Sequence, residues 1–222
     1  MLLAVDTSTK QIGLALYDGA QVIGELLWQS RHYHTVELAP AVANLLTRSG
    51  LKMDAIESLG VALGPGSFTS LRVGLAFIKG LALARHLPVI GIPTLDVVAA
   101  AQEVRELPLA AVLQAGRGRL ALAWYEADDT GWKSSGPASV TTADELADSI
   151  NKPTIVCGEL TADERQRLAR KRVNVLLASP AACVRRPAVL AELAWERWQA
   201  GAQDDAASLA PIYLHVSDPI PS

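Results

Sequence analysis

The sequence predicts an α/β protein made of two stacked units of one design. Three observations carry this. The first hundred residues read in the order β-β-β-α-β-α-β-α. A looser copy of that order follows Pro108. No Gly/Ser-rich or charged linker separates the two stretches. The expected division is 1–106 for the first lobe and 107–222 for its divergent copy, with the tail returning to the first lobe.

The elements follow in order. Leu2 to Val5 is an apolar run that stops at the polar turn Asp6-Thr7-Ser8-Thr9. Ile12, Leu14 and Leu16 alternate with Gly13, Ala15 and Tyr17, Asp18-Gly19 marks a hairpin turn, and Gln21 to Trp28 is a third strand. A helix is expected over roughly Thr35 to Ser49, with Leu38, Val42, Leu45 and Leu46 on one face and Gly50 at the C-cap. Ser58 to Leu63 reads as a buried strand, broken by Gly64-Pro65-Gly66. Ser67 then N-caps a helix to Arg85. Pro88 to Gly91 is another buried strand, and Pro93-Thr94 opens a helix to Glu106.

In the second half, Leu109 to Leu113 and Leu120 to Glu126 read as strands, and Asp128 to Gly131 as a turn. Thr142 to Glu145 and Thr161 to Glu164 both match the capping box that starts a helix. Thr154 to Cys157 and Val173 to Leu177 are short strands. Pro187 opens a helix with Leu190, Leu193, Ala194 and Trp198 inward, and Leu209 to Val216 is read as an extended tail.

Composition removes several classes. With 222 residues, half of them hydrophobic, the chain can bury a core without disulfide or metal staples. That excludes a disordered, collagen-like or disulfide-framed protein. A net charge of −3 argues against a self-sufficient nucleic-acid binder. Cys157 and Cys183 form no CxxC and read as reduced thiols. No signal peptide and no apolar run of about 20 residues is present, so the expectation is a soluble cytoplasmic protein with no membrane partner.

Four stretches invite chemistry. Asp6-Thr7-Ser8-Thr9 offers a carboxylate, hydroxyls and turn N–H groups, which suit phosphate or a phosphate-bound metal, or simply close the hairpin. Gly64-Pro65-Gly66-Ser67 leads into a helix N-terminus, an anion site or a tight strand-to-helix turn; it is neither a Walker motif nor GxGxxG. Along that helix Phe68, Leu71, Leu75, Ile78 and Ala82 form a heptad-like seam, and Ala76, Gly80 and Ala84 a second stripe of small residues. Apolar character nearly all round means a helix sandwiched in the monomer or one with a face for a partner. His32, His34 and Glu37 lack metal-ligand spacing, so no metal is expected. The basic run Arg165, Arg167, Arg170, Lys171, Arg172 and the pair Arg185-Arg186 read as solvated charge, with RNA contact the lesser reading.

LLAVDTSTKQIGLAL, HTVELAPAVANLL, LGPGSFTSLRVGLAFIKGLA, IGIPTLDVVA and the tail PIYLH occur in this order, and together they resemble the TsaB (YeaZ) family. The resemblance is strong over the first hundred residues and thin afterwards. It implies a two-lobed, degenerate actin-like or Hsp70-like ATPase fold (ASKHA, ribonuclease H-like). It implies a non-catalytic subunit that binds and activates TsaD, which transfers a threonylcarbamoyl group to the adenosine beside the anticodon of ANN-decoding tRNAs. TsaE joins the assembly, tRNA is met only indirectly, and the isolated subunit forms a homodimer.

The pairing helices implied are His34 to Ser49 and Ser67 to Arg85. The implied interface comprises His34, Glu37, Leu38, Val42, Leu45, Phe68, Leu71, Arg72, Leu75 and Ile78; which of the apolar ones face inward is left open. No nucleotide is expected to bind the chain alone, only at the interface with TsaD. The turn matching Asp6 to Thr9 in the second half, Gln114-Ala115-Gly116-Arg117-Gly118-Arg119, carries no carboxylate, and the HxxxH of TsaD-type metal binding is missing. Where the family shows Asp-Ala-Arg this chain has Gln114-Ala115-Gly116-Arg117, and where its tail ends in Arg this chain has His215. A stand-alone phosphotransferase and a homodimeric scaffold are the rival readings; a glycoprotease has no nucleophile–base pair or zinc motif to support it.

Overall fold

The computed structural model describes residues 1–31, 34–170 and 173–214. His32, Lys171, Arg172 and the tail from His215 lie outside them. The chain divides into two compact units, Met1–Val97 with Arg185–Ile212, and Val98–Val184 with Tyr213–Ser222.

The first unit holds a five-stranded sheet. Strands β1 (Leu2–Asp6), β2 (Gln11–Tyr17) and β3 (Val22–Gln29) form an antiparallel meander; β4 (Ser58–Ala62) and β5 (Val89–Ile92) run parallel to β1, giving the order β3-β2-β1-β4-β5. Helices α1 (His34–Arg48) and α2 (Phe68–Arg85) belong to this unit, and α3 (Thr94–Ala100) begins in it.

Strand alternation decides what each face receives. Leu3, Val5, Ile12, Leu14 and Leu16 meet α1 and α2, through Leu38, Val42, Leu45, Leu75 and Ile78. Leu2, Ala4 and Ala15 meet the opposite helix, α6 (Pro187–Gln199), through Leu190, Ala191 and Ala194. The small residues let that helix sit close. A Cβ on Gly60 would lie 2.9 Å from the Ala194 methyl, and one on Gly13 would lie 3.0 Å from Pro187. The helix predicted for the second lobe therefore covers the first sheet. The segment Arg185–Ile212 belongs with the first unit, which differs from the expected division at residue 107.

The second unit repeats the scheme. Strands β6 (Leu109–Gly116), β7 (Arg119–Asp128) and β8 (Gly131–Ser134) are antiparallel neighbours, and β9 (Ser139–Thr141) also pairs with β7. Strands β10 (Thr154–Gly158) and β11 (Val175–Leu177) continue the sheet in parallel from β6. Helices α4 (Ala143–Ser149) and α5 (Ala162–Ala169) pack on it through Leu146 and Leu168, and both capping boxes form as read.

Three features differ from expectation. The short strands β8 and β9 were not anticipated. Helix α3 stops at Ala100 rather than Glu106, because Gln102 to Glu106 offers no apolar face and Val104 is exposed. Ser67 is the N-cap of α2 by position, but its hydroxyl makes no backbone cap; it accepts from Ser70 Oγ at 3.1 Å. The tail meets the first unit where the Ile212 N–H donates to Leu63 O at 2.8 Å; His215 and Val216 of the expected extended segment lie outside the described residues. Among the described residues no helix is long and apolar enough to cross a membrane.

Candidate functional site

Helices α1 and α2 lie side by side and cover one face of the first sheet, leaving their outer faces to solvent. Between them runs an apolar groove of about 470 Å³, lined by Thr35, Leu38, Ala39, Phe68, Thr69, Arg72, Val73, Ala76 and Phe77. Phe68 is 54% exposed, with the Arg72 guanidinium 3.6 Å from its ring centroid. Val36 and Leu83 stand out on either side at 66% and 79% exposure. The stripe Ala76, Gly80, Ala84 is solvent-facing, and nothing lies within 4 Å of where a Gly80 Cβ would stand. A helix-interior glycine costs about 0.5–1 kcal/mol relative to alanine, and no packing inside the monomer offsets it. Exposed apolar patches rimmed by polar residues are in general the surfaces at which proteins meet partners.

The expected anchors divide sharply. Phe68 and Arg72 lie on the open face. Leu38, Val42, Leu45, Leu71, Leu75 and Ile78 are 0–5% exposed and serve the core, so as primary anchors they are corrected. Leu38 alone of the six also borders the groove. The reason is geometric: from Leu71 to Ala82 the heptad-like seam is the buried stripe, Phe68 at its start turns outward, and the stripe of small residues is left outside. His34 and Glu37 have internal partners. His34 is buried with Nε2 3.0 Å from Thr9 O, and Glu37 accepts from Trp28 Nε1 at 2.9 Å. Sequence reasoning missed Val36, Ala39, Val73, Phe77 and Leu83; the complement of the core stripe was the available signal.

The Asp6 to Thr9 turn and the Gly64 to Ser67 loop come together, against each other rather than around a ligand space. The Ser67 N–H donates to Ser8 O at 2.7 Å, and a Cβ on Gly66 would lie 2.1 Å from that oxygen. Thr7 Oγ1 donates to Ser70 O at 2.8 Å, while Ser8 Oγ and Thr94 Oγ1 share a 2.7 Å hydrogen bond. The Gly64 N–H donates to Thr94 Oγ1 at 2.9 Å. Asp6 Oδ1 accepts from the Ser8 N–H at 2.8 Å, and Asp6 Oδ2 is paired with Arg185 Nε. Both side chains of that ion pair are 1–2% exposed. Arg185 Nη2 also donates to Thr9 Oγ1 and Gln11 O, each at 3.2 Å.

These residues do not fit a magnesium-bound nucleotide, the ligand that an ATPase-type fold implies. The carboxylate that would face the cation already has a guanidinium, and the hydroxyls bond to protein. In the second unit the matching turn is a hairpin tip with Gly116, Arg117 and Gly118 all at positive φ, and Gln114 Nε2 donates to Glu164 Oε2 at 2.7 Å. Among the described residues no group of three His, Cys, Asp or Glu could hold a metal ion.

Two members of the basic run have partners within the protein, and Lys171 and Arg172 lie outside the described residues. Arg165 donates to Ala178 O at 2.6 Å, and Arg167 pairs with Asp144 at 2.7 Å. Arg186 pairs with Glu25. Cys157 is fully buried, and burial pushes its thiol pKa up, with Cys183 adding to the effect.

Comparison with known proteins places these features. A family model described as "TsaD: tRNA N6-adenosine threonylcarbamoyltransferase" matches residues 28–166. The chain is 33% identical over 158 residues to the tRNA threonylcarbamoyladenosine biosynthesis protein TsaB of Escherichia coli; that match covers 70% of this chain and 64% of the relative. It is 27% identical over 221 residues to TsaB of Bacillus subtilis, covering 98% of this chain and 95% of the relative. Among solved structures it resembles YeaZ from Pseudomonas aeruginosa, with TM-score 0.79, 24% identity and coverage of 96% and 99% of the two chains. A ROK hexokinase from Thermus thermophilus shares the fold at TM-score 0.50 and 11% identity, over 89% of this chain and 99% of the other. The fold is the expected actin-like ATPase type.

Proposed function

The chain belongs to the TsaD family, among its TsaB (YeaZ) members, and from that premise we propose that it is the non-catalytic subunit that binds and activates TsaD in tRNA threonylcarbamoyladenosine biosynthesis. The observation that carries this is the uncovered apolar face of α1 and α2, which includes the exposed Phe68. Docking favours the active conformation of TsaD by binding it more tightly than the inactive one, which is the only way a partner can shift such an equilibrium.

The chain itself takes no nucleotide at the Asp6 turn, since Arg185 answers the carboxylate there; nucleotide binds only at the interface with TsaD. TsaE joins the pair, tRNA is met through TsaD, and in isolation two copies dock through the same face, in the cytoplasm. The stand-alone phosphotransferase reading loses ground because its first phosphate turn is filled by protein. The test is reconstitution of threonylcarbamoyl transfer to tRNA with and without the chain. The expected result is transfer that depends on it and is lost with Ala39→Glu/Ala76→Glu, two exposed groove positions. Undiminished transfer without the chain overturns the proposal.

A further inference from the structure

The buried ion pair Asp6–Arg185 sits where the two helices of the docking face are hung. The Asp6 to Thr9 turn reaches the first residue of α1 through Thr9 O and His34 Nε2, 3.0 Å apart. It reaches the first turn of α2 through Thr7 Oγ1 on Ser70 O at 2.8 Å, and the α2 cap through Ser8 O and the Ser67 N–H at 2.7 Å. Thr7 also packs on α2 so closely that a Cβ on Gly74 would lie 2.1 Å from its hydroxyl. Arg185 grips the far side of the same turn at three points: Asp6 Oδ2, Thr9 Oγ1 and Gln11 O. The planar guanidinium fork suits this better than a lysine ammonium would. From the guanidinium, α1 is reached through Thr9 alone and α2 through Asp6 and Thr7, with a hydrogen bond at each end of either path. The groove residues Thr35, Phe68 and Thr69 lie within two residues of those attachment points.

We propose that Arg185 is a positioning residue for the docking face: it occupies a turn built like a phosphate loop and holds that turn, and with it the first turns of α1 and α2, in the geometry that TsaD meets. This rests on the docking reading above. An interface arranged before association loses less conformational freedom on binding. With Arg185 removed, a buried carboxylate loses its partner, and the turn relaxes to let water reach it.

The experiment uses the full chain and two readouts: affinity for TsaD by calorimetry, and amide hydrogen exchange of residues 35–39 and 68–73 in the free chain. Arg185→Ala is expected to weaken TsaD binding at least about fivefold and to speed exchange in both segments. Methylguanidinium in the vacated space is expected to restore both, while Arg186→Ala, in the next, exposed residue, changes neither. Should Arg185→Ala not fold, Asp6→Asn/Arg185→Gln removes the charges together and Arg185→Lys keeps the charge without the fork. Both are expected to speed exchange in the same segments. Wild-type exchange and wild-type affinity in the neutral pair would overturn the proposal. If the wild-type chain fails to bind TsaD at all, the docking reading falls, and the exchange data still decide whether Arg185 holds the helices.

Discussion

Phe68→Ala should weaken the complex with TsaD while leaving the fold intact. Phe68 is 54% exposed, so of the roughly 200 Å² an aromatic side chain can bury, about 100 Å² awaits cover. At about 25 cal/mol per Å² this is worth ~2.5 kcal/mol, and the methyl that remains in alanine brings the loss to ~2 kcal/mol, or about 30-fold in Kd. In the free chain the other half of the ring is already covered, worth about 2 kcal/mol on the same scale, and Arg72 adds an exposed cation–π contact worth about 0.5–1 kcal/mol, so folding stability should also fall, by roughly 2–3 kcal/mol. Isothermal titration against TsaD reads the first quantity and urea unfolding the second. A Kd within twofold of wild type, measured on a variant that is still folded, would refute the idea that Phe68 belongs to the docking surface.

Other substitutions separate the core from the face. Ile78→Ala removes a fully buried side chain and should cost about 2–5 kcal/mol in urea unfolding. Gly74→Ala places a methyl 2.1 Å from Thr7 Oγ1 and should cost about 1–3 kcal/mol, whereas Gly80→Ala meets nothing and should stabilise α2 by about 0.5–1 kcal/mol; thermal unfolding distinguishes them. Burial holds the Cys157 proton on in the native state, where the unfolded chain releases it near the ordinary thiol range of about 8.5. That contribution to stability is present below that range and lost as pH rises through it, so the loss in urea midpoint between pH 7 and pH 9.5 should be smaller in Cys157→Ala than in wild type.

Much of the first unit was legible because its signals are local. Ile12, Leu14 and Leu16 alternate, Gly50 takes the positive φ that ends α1, and the Gly64-Pro65-Gly66 break sits between a buried strand and a helix. The place of α6 was not legible. Ala191 and Ala194 fit against Ala15 and Gly60, but that match spans more than a hundred residues, and no periodicity within either segment announces the other. The expectation of solvated charge at Arg185 is corrected for the same reason: its side chain is buried. A buried Asp6 demands a positive partner, yet the one it has lies 179 residues away. On α2 the periodicity revealed two stripes without deciding which faced the sheet. Leu75 and Ile78 pack in the cluster of Val5 and Leu14, space that the alanine stripe is too small to fill. The Asp6 turn was read as phosphate loop or hairpin closure; it closes against α2 and the Gly66 loop, and its carboxylate is spent on Arg185.

The central claim is that the outer face of α1 and α2 is where TsaD docks. Size-exclusion chromatography with light scattering tests it directly, on this chain mixed with TsaD from the same genome and on its Ala39→Glu/Ala76→Glu variant. The account predicts a one-to-one complex for the wild-type chain and two separate species for the variant, whose circular dichroism stays that of the folded protein. Separate species for the wild-type chain, or a complex that the variant still forms, would contradict it.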